Sequence, residues 1–340
     1  MRQTNITEEE EMTMLKMAVI GSGAMGKIHA GIINKSGRAK VEYIFDTVKE
    51  KAEELATEMD AQPIIDMDEL CKKEIDLAFV CVPNKLHAMV AIKLLDAGIS
   101  VFSEKPMATT IADATAMVEA AKKSGSRLFV GHNRRFAPVY LTAKDSVKEK
   151  DYMPHNINII QNDGDMGGEG SLWAADFKNL GGFLYDTTIH FLDMAEYLMG
   201  EIESVSALGK SACYPVEDDF VIQLKFKSGG LGAITSCGHA SWIFPFERVQ
   251  VVGDHKSVIT EELDSYRYCP GLSKTIEAFD YSKLAFEEKW GYCDMHTHMY
   301  DALEQNKPAL NDGEVGLRAV KLVEACHESM ANGGAACTIK

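Results

Sequence analysis

The sequence predicts a doubly wound α/β domain, built on a parallel sheet, followed by an α+β domain with an open, mostly antiparallel sheet. Three observations predict it. Short apolar strands alternate with helical stretches from Leu15 to about Phe136. After Pro138 the pattern becomes a series of strands with few helices between them. A G-x-G-x-x-G loop follows the first strand directly, in "VIGSGAMGKIHA" at residues 19–30.

In the first domain the strands are read at 15–20 (LKMAVI), 41–45 (VEYIF), 77–82 (LAFVCV), 99–102 (ISVF) and 127–131 (RLFVG). Helical stretches such as TVKEKAEELATEM and HAMVAIKLLDAG connect them, the latter closed by Gly98 as a helix stop signal. Strands separated by helices of this length make parallel β-α-β units and a doubly wound sheet. In the second domain HNINIIQ, SVSALGK, DFVIQLKF, LGAITSC, ERVQVVG and SVITEE read as strands, interrupted by one helix at about 181–198. Helical periodicity returns at 294–332, a stretch expected to pack back on the first domain. The organisation expected is an acidic tail (1–14), a dinucleotide-binding domain (15–136) and a domain for substrate binding and oligomerisation (137–293).

Composition narrows the function classes. Acidic residues outnumber basic ones 51 to 35, a formal charge of −16 that repels nucleic acid and anionic membrane surfaces. No apolar run is long enough to span a bilayer. The start, MRQTNITEEEEMTM, lacks the basic-then-apolar order of an export signal, and its glutamates read as a solvated tail. The eight cysteines never approach C-x-x-C spacing, and Cys81 and Cys326 fall in apolar elements, which suits reduced thiols in a cytoplasmic protein. No metal site is expected. His296 and His298 stand two apart on a helix and so face different ways, which favours structural or surface roles.

Gly21, Gly23 and Gly26 carry the first chemical signal. Gly21 permits a tight turn, Gly23 lets backbone approach a pyrophosphate, and Gly26 lets the helix sit close to the sheet. The helix N-terminus then offers unpaired N–H groups to phosphate. Asp46 ends the second strand, twenty residues beyond Gly26, where a carboxylate accepts from a ribose diol and disfavours a 2′-phosphate. The cofactor expected is NAD.

The second signal is Glu104-Lys105-Pro106, at the carboxyl edge of the sheet. Proline restricts Lys105 to extended backbone, and the bond between them can be cis. A lysine beside a nicotinamide can donate to a hydroxyl oxygen and stabilise developing alkoxide charge. Asp186 and His190 stand four apart in LGGFLYDTTIHFLDMAEYLMG, on one helical face. A carboxylate beside an imidazole fixes its tautomer and raises its basicity, as a general base requires.

Together these segments resemble the family of glucose–fructose oxidoreductase and inositol dehydrogenase (Gfo/Idh/MocA) over most of the chain. The resemblance rests on the loop at 21–26 with Asp46, on VPNKLHAMVAIKLLDAGISVFSEKP (82–106), on VGHNRRFAPVY (130–140), on GGFLYDTTIHFLD (181–193) and on the closing helices. It implies a Rossmann domain, an α+β domain whose open sheet mediates a homodimer or homotetramer, and Lys105, Asp186 and His190 as catalytic residues. For the cofactor it implies Gly21, Gly23, Ala24, Met25, Gly26, Asp46, Pro83, Asn84, His87, Glu104 and Lys105. For the substrate it implies Asn133, Trp173, Asp186 and His190. Thr188 stands where many members carry glycine, and Ala174 where an arginine often follows the tryptophan.

The activity expected is NAD-dependent oxidation of a secondary hydroxyl of a sugar, glycoside or cyclitol, with position 3 of a pyranose preferred on family grounds. Three alternatives stay open: an NAD-dependent glycoside hydrolase working by transient oxidation and elimination, an inositol 2-dehydrogenase, and a non-catalytic NAD-binding sensor. Whether NAD stays tightly bound between turnovers is open as well.

Overall fold

The computed structural model describes residues 14–148, 152–163, 181–240, 244 and 246–340. Two sheets organise it. The first has six parallel strands in the order β3-β2-β1-β4-β5-β6. They are β1 (Leu15–Ile20), β2 (Ala39–Phe45), β3 (Gln62–Ile64), β4 (Leu77–Val80), β5 (Ser100–Ser103) and β6 (Leu128–Val130). Its helices are α1 (Ala24–Lys35), α2 (Lys49–Met59), the single turn α3 (Met67–Leu70), α4 (His87–Asp96) and α5 (Ile111–Ser124). Met17, Ala18, Val19 and Ile20 of β1 are all fully buried, because helices cover both faces of the sheet. The strand order reverses between β1 and β4, so the loops after β1, β4 and β5 open side by side at one edge, where sheets of this kind bind ligands.

The second sheet has nine strands in the order β14-β13-β12-β11-β7-β10-β9-β8-β15. They are β7 (Asn156–Asn162), β8 (Ile202–Lys210), β9 (Asp219–Phe226), β10 (Leu231–Cys237), β11 (Glu247–Gly253), β12 (Lys256–Glu261), β13 (Ser265–Cys269), β14 (Glu277–Asp280) and β15 (Cys337–Thr338). All its pairs are antiparallel except β7 with β10. In β9 buried and exposed residues alternate, as one covered face requires. The other face carries Ile160, Leu208, Val221 and Leu231 in exposed positions.

Helices α6 (Pro138–Val147) and α7 (Ile189–Met199) belong to this half, followed by the turn α8 (Phe286–Lys289), then α9 (Tyr292–Glu304) and α10 (Gly313–Ala331). Asp312 caps α10 by accepting from the Val315 N–H. α10 packs on α5 and β6 of the first half and on β8 of the second, so it joins the halves and does not serve the first alone. α9 packs on α1 and on the 3₁₀ turn Asn133–Phe136.

Four strands go beyond the sequence reading. β3 has three residues with Pro63 in the middle, tolerated because it lies at the sheet edge. β13, β14 and β15 likewise lie at or beside an edge, where short strands make little periodic signal. No described helix is long and apolar enough to cross a membrane.

Candidate active site

The glycine loop is compelled by its neighbours. Gly21 has φ +102°, and a Cβ there would stand 2.4 Å from the Cys81 carbonyl oxygen. A Cβ on Gly26 would stand 1.9 Å from the Gly21 carbonyl oxygen, so this glycine answers to the loop's own backbone more than to the sheet. At Gly23 a Cβ would meet nothing within 4 Å, and that open space lies at the N-cap of α1. The N–H groups of Ala24, Met25 and Gly26 have no intrahelical partner by helix geometry and point there. Asp46 accepts from the Ser22 N–H (2.9 Å) and from the Val48 N–H (2.9 Å). Two carboxylate lone-pair positions remain for other donors. This cradle, with free donors, no intruding side chain and a carboxylate at the end of the adjacent strand, fits a dinucleotide pyrophosphate and its adenosine ribose.

Across the cleft edge, the Lys105–Pro106 peptide bond is cis. The Lys105 Nζ donates to the Asp186 carbonyl oxygen (2.5 Å) and lies 3.3 Å from Asp186 Oδ1. Glu104 is buried, with Oε2 accepting from the Lys105 N–H (3.0 Å) and Oε1 bonded to His29 Nε2 (2.8 Å). Burial alone would raise the Glu104 carboxyl, but the His29 hydrogen bond and the Lys105 charge hold it below the ordinary carboxylate value. His87 is also buried, and its two ring nitrogens meet the carbonyls of Pro106 (2.7 Å) and Val82 (2.7 Å). Both side chains were expected on the cofactor. The structure commits their polar atoms to protein partners, so they brace the turn that carries Lys105. Pro83 is exposed at the mouth of the same edge, and Asn84 is buried behind it.

The segment bearing the aspartate and histidine starts at Gly181 (φ +85°) and Gly182 (φ +89°), conformations that favour glycine. Leu184–Thr188 is a π turn, in which the Ile189 N–H reaches back to the Leu184 carbonyl, and α7 follows. Such turns recur at functional sites because they displace side chains from the regular helical faces. Here the expected Asp186–His190 hydrogen bond is absent among the described residues, since Lys105 takes the aspartate. His190 Nδ1 is enclosed without a partner there. Its basicity is lowered, the reverse of the expectation: burial pushes the imidazole well down, and Lys105, Arg134 and His132 push it further. His190 is therefore neutral at pH 7.

Three residues around it escaped the sequence reading. Arg134 is buried, places Nε 3.1 Å from Glu247 Oε2 on β11, and stacks 4.1 Å from the Trp290 ring centroid. Arg135 forks onto both oxygens of Asp193 in α7, at 2.8 and 2.7 Å. His132 is buried, with Nδ1 unpaired among the described residues and 3.8 Å from Asp193 Oδ2. The adjacent arginines of HNRRF were a visible signal, but their partners lie about 60 and 110 residues away.

Asn133, expected on the substrate, is 2% exposed and donates its amide to the Trp290 carbonyl (2.9 Å), so it ties two segments together. Thr188 is fully buried and its hydroxyl pairs with Ser236 on β10, pointing into the sheet. Trp173 and Ala174 lie outside the described residues. His296 and His298 face different partners: His296 meets His29 and Tyr300, while His298 accepts from the Leu310 N–H.

A phosphate-binding loop at a strand-order reversal, facing a lysine and a neutral histidine, defines a two-domain nicotinamide-dependent oxidoreductase. Residues 15–132 match the oxidoreductase family with an NAD-binding Rossmann fold, and residues 161–338 its C-terminal alpha/beta domain. The chain belongs to this Gfo/Idh/MocA family. It is 30% identical to myo-inositol 2-dehydrogenase of Thermotoga maritima over 73% of this chain and 76% of that one. It is 27% identical to the NAD⁺-dependent scyllo-inositol 2-dehydrogenase of Bacillus subtilis, covering 88% and 89%. Levoglucosan dehydrogenase, solved with NADH and levoglucosan, shares the fold with a TM-score of 0.88 at 20% identity, covering 96% and 99%.

Proposed function

We propose that this enzyme oxidises a ring hydroxyl of a sugar, glycoside or cyclitol to a ketone, with position 3 of a pyranose as the preferred site. The observation that carries the reading is the Lys105 Nζ held on Asp186, four residues before His190, at the sheet edge where the glycine loop opens. NAD, when bound, supplies the two-electron acceptor for the carbinol hydrogen. His190 takes the hydroxyl proton and becomes imidazolium. Lys105 donates to the same oxygen while it carries developing negative charge, and Asp186 aims the lysine. The balance is alcohol plus NAD⁺ giving ketone, NADH and one proton, carried first by His190.

The inositol relatives favour a second reading, a cyclitol as substrate with the same residues in the same roles. A panel of myo-inositol, scyllo-inositol, glucose, levoglucosan and simple glycosides, followed at the NADH absorbance, separates the two. Deuterium placed at C3 of the best pyranose substrate should appear in NADH. Turnover of inositols alone would overturn the pyranose reading, and no turnover at all would favour a sensor. Free aglycone without net NADH would point to the hydrolase. Because His190 is held below the usual imidazole range, the acid limb of kcat/KM should fall below about pH 6.5. A limb above that value would remove His190 as the base.

The apolar residues on the open face of the nine-stranded sheet support assembly into a dimer or tetramer, to be read by light scattering. We place the enzyme in the cytoplasm, where its eight thiols stay reduced.

A further inference from the structure

Behind the lysine turn runs a buried chain of ionisable groups that the reaction above does not use. Glu104 Oε1 meets His29 Nε2 (2.8 Å), His29 Nδ1 meets His296 Nε2 (2.8 Å), and His296 Nδ1 meets the Tyr300 hydroxyl (3.0 Å). The four residues come from three segments: α1, the turn after β5, and α9. Phe79 and Phe102 pack against the imidazoles, with ring centroids 4.9 to 5.4 Å away, and both histidines are at most 1% exposed.

With one proton on each ring, the carboxylate end sets the direction of every bond. Glu104 is an acceptor, so His29 carries its proton on Nε2 and accepts on Nδ1. His296 then donates from Nε2 and accepts at Nδ1 from the Tyr300 O–H. With one proton on each ring, each imidazole has one donor and one acceptor used, and no polar atom in the chain is stranded. The far oxygen of Glu104 ends on the Lys105 backbone N–H, a proton that does not exchange in catalysis. At the other end Tyr300 is 1% exposed, and its hydroxyl also meets the side chain of Ser36, the C-cap of α1. A chain fixed to a peptide N–H at one end and to the serine that closes α1 at the other is built to hold geometry and not to conduct protons.

We propose that His29, His296 and Tyr300 are positioning residues for Lys105, acting through Glu104 to tie the lysine turn to the helix that follows the glycine loop. The inference rests on reading Lys105 as a reacting group. The loop and the lysine must present their partners to each other in one register, and a displacement near 1 Å costs on the order of 100-fold in rate. This chain links the two segments directly, through His29 and Glu104 and two side chains of α9.

The test compares His296→Phe with His296→Gln in the full chain. Glutamine restores one N–H for His29 and one oxygen for Tyr300, yet cannot take up a proton. Expected in His296→Phe are a loss of about tenfold or more in kcat with KM changed little, and a shift of the Lys105 ammonium nitrogen resonance, assigned by its disappearance in Lys105→Met. His296→Gln should recover both to within about threefold. Should His296→Phe fail to fold, Tyr300→Phe removes a single hydroxyl, and should shift the His296 ring-nitrogen resonances and lower kcat about two- to threefold. An unchanged Lys105 resonance and kcat in the disrupting variant would overturn the proposal. Equal damage in His296→Phe and His296→Gln would also overturn it, pointing to proton transfer. The resonance is read without substrate, so it decides on the chain even if no polyol on the panel reduces NAD⁺.

Discussion

The two ends of the cleft are built by different means. At the dinucleotide end, backbone N–H groups line the cradle, and three glycines within six residues determine where that backbone runs. At the lysine–histidine end, side chains from three distant segments meet: the turn after β5, the 3₁₀ turn at Asn133–Phe136, and the π turn leading into α7. A backbone device is written locally and tolerates no substitution at its crowded points. A side-chain device is assembled by tertiary packing, and its members can exchange partners, as Asp186 does in bonding Lys105 and not His190.

The largest effect should come from the side-chain end. Lys105→Met should lower kcat by about 1,000-fold while NAD⁺ affinity, read by calorimetry, stays within about threefold. Asp186→Asn should cost less, about 10- to 100-fold, because the lysine still has the Asp186 carbonyl oxygen at 2.5 Å to hold it. If either variant weakened NAD⁺ more than it slowed turnover, the division between the two ends would be wrong.

The backbone end breaks differently at two glycines. Gly26→Ala puts a methyl 1.9 Å from a main-chain oxygen, so the loop must shift, at about 1–3 kcal/mol of stability in denaturant melts. Gly23→Ala puts its methyl in open space. Its melt should match the unsubstituted enzyme within about 0.5 kcal/mol, whereas NAD⁺ should bind about tenfold more weakly as the methyl meets the pyrophosphate. Equal melts for the two variants would mean that Gly26 is not crowded in solution.

The same division explains what was legible in the sequence. The parallel sheet, five of its six strands and the glycine loop follow from local periodicity and spacing, and so does the lysine's place at the sheet edge. The partners of Glu104, His87 and Asn133 do not, because each is a carbonyl or imidazole supplied by a segment remote in the chain or turned toward it by folding. His190 shows the point most sharply. Spacing of four residues suggested a carboxylate partner, but the π turn and Lys105 redirect Asp186, and burial beside cations then makes the imidazole less basic. Spacing predicts which side chains can meet, while burial and competing donors decide which do.

The last of these effects belongs to Asp46, and it depends on separating two jobs. Its carboxylate stitches the loop by accepting from the Ser22 and Val48 N–H groups, and it faces the ribose with what remains. Asp46→Ala removes both. Loss of the stitch loosens the loop for any dinucleotide, so the affinities for NAD⁺ and NADP⁺ should fall alike from that cause. Loss of the negative charge acts on them in opposite senses: NAD⁺ forfeits an acceptor for its diol, and NADP⁺ is relieved of repulsion at its 2′-phosphate. The ratio of the two affinities therefore isolates the ribose contribution, and it should narrow by about tenfold, roughly one charged hydrogen bond. A ratio that stayed constant while both affinities dropped would leave Asp46 a loop brace and nothing more.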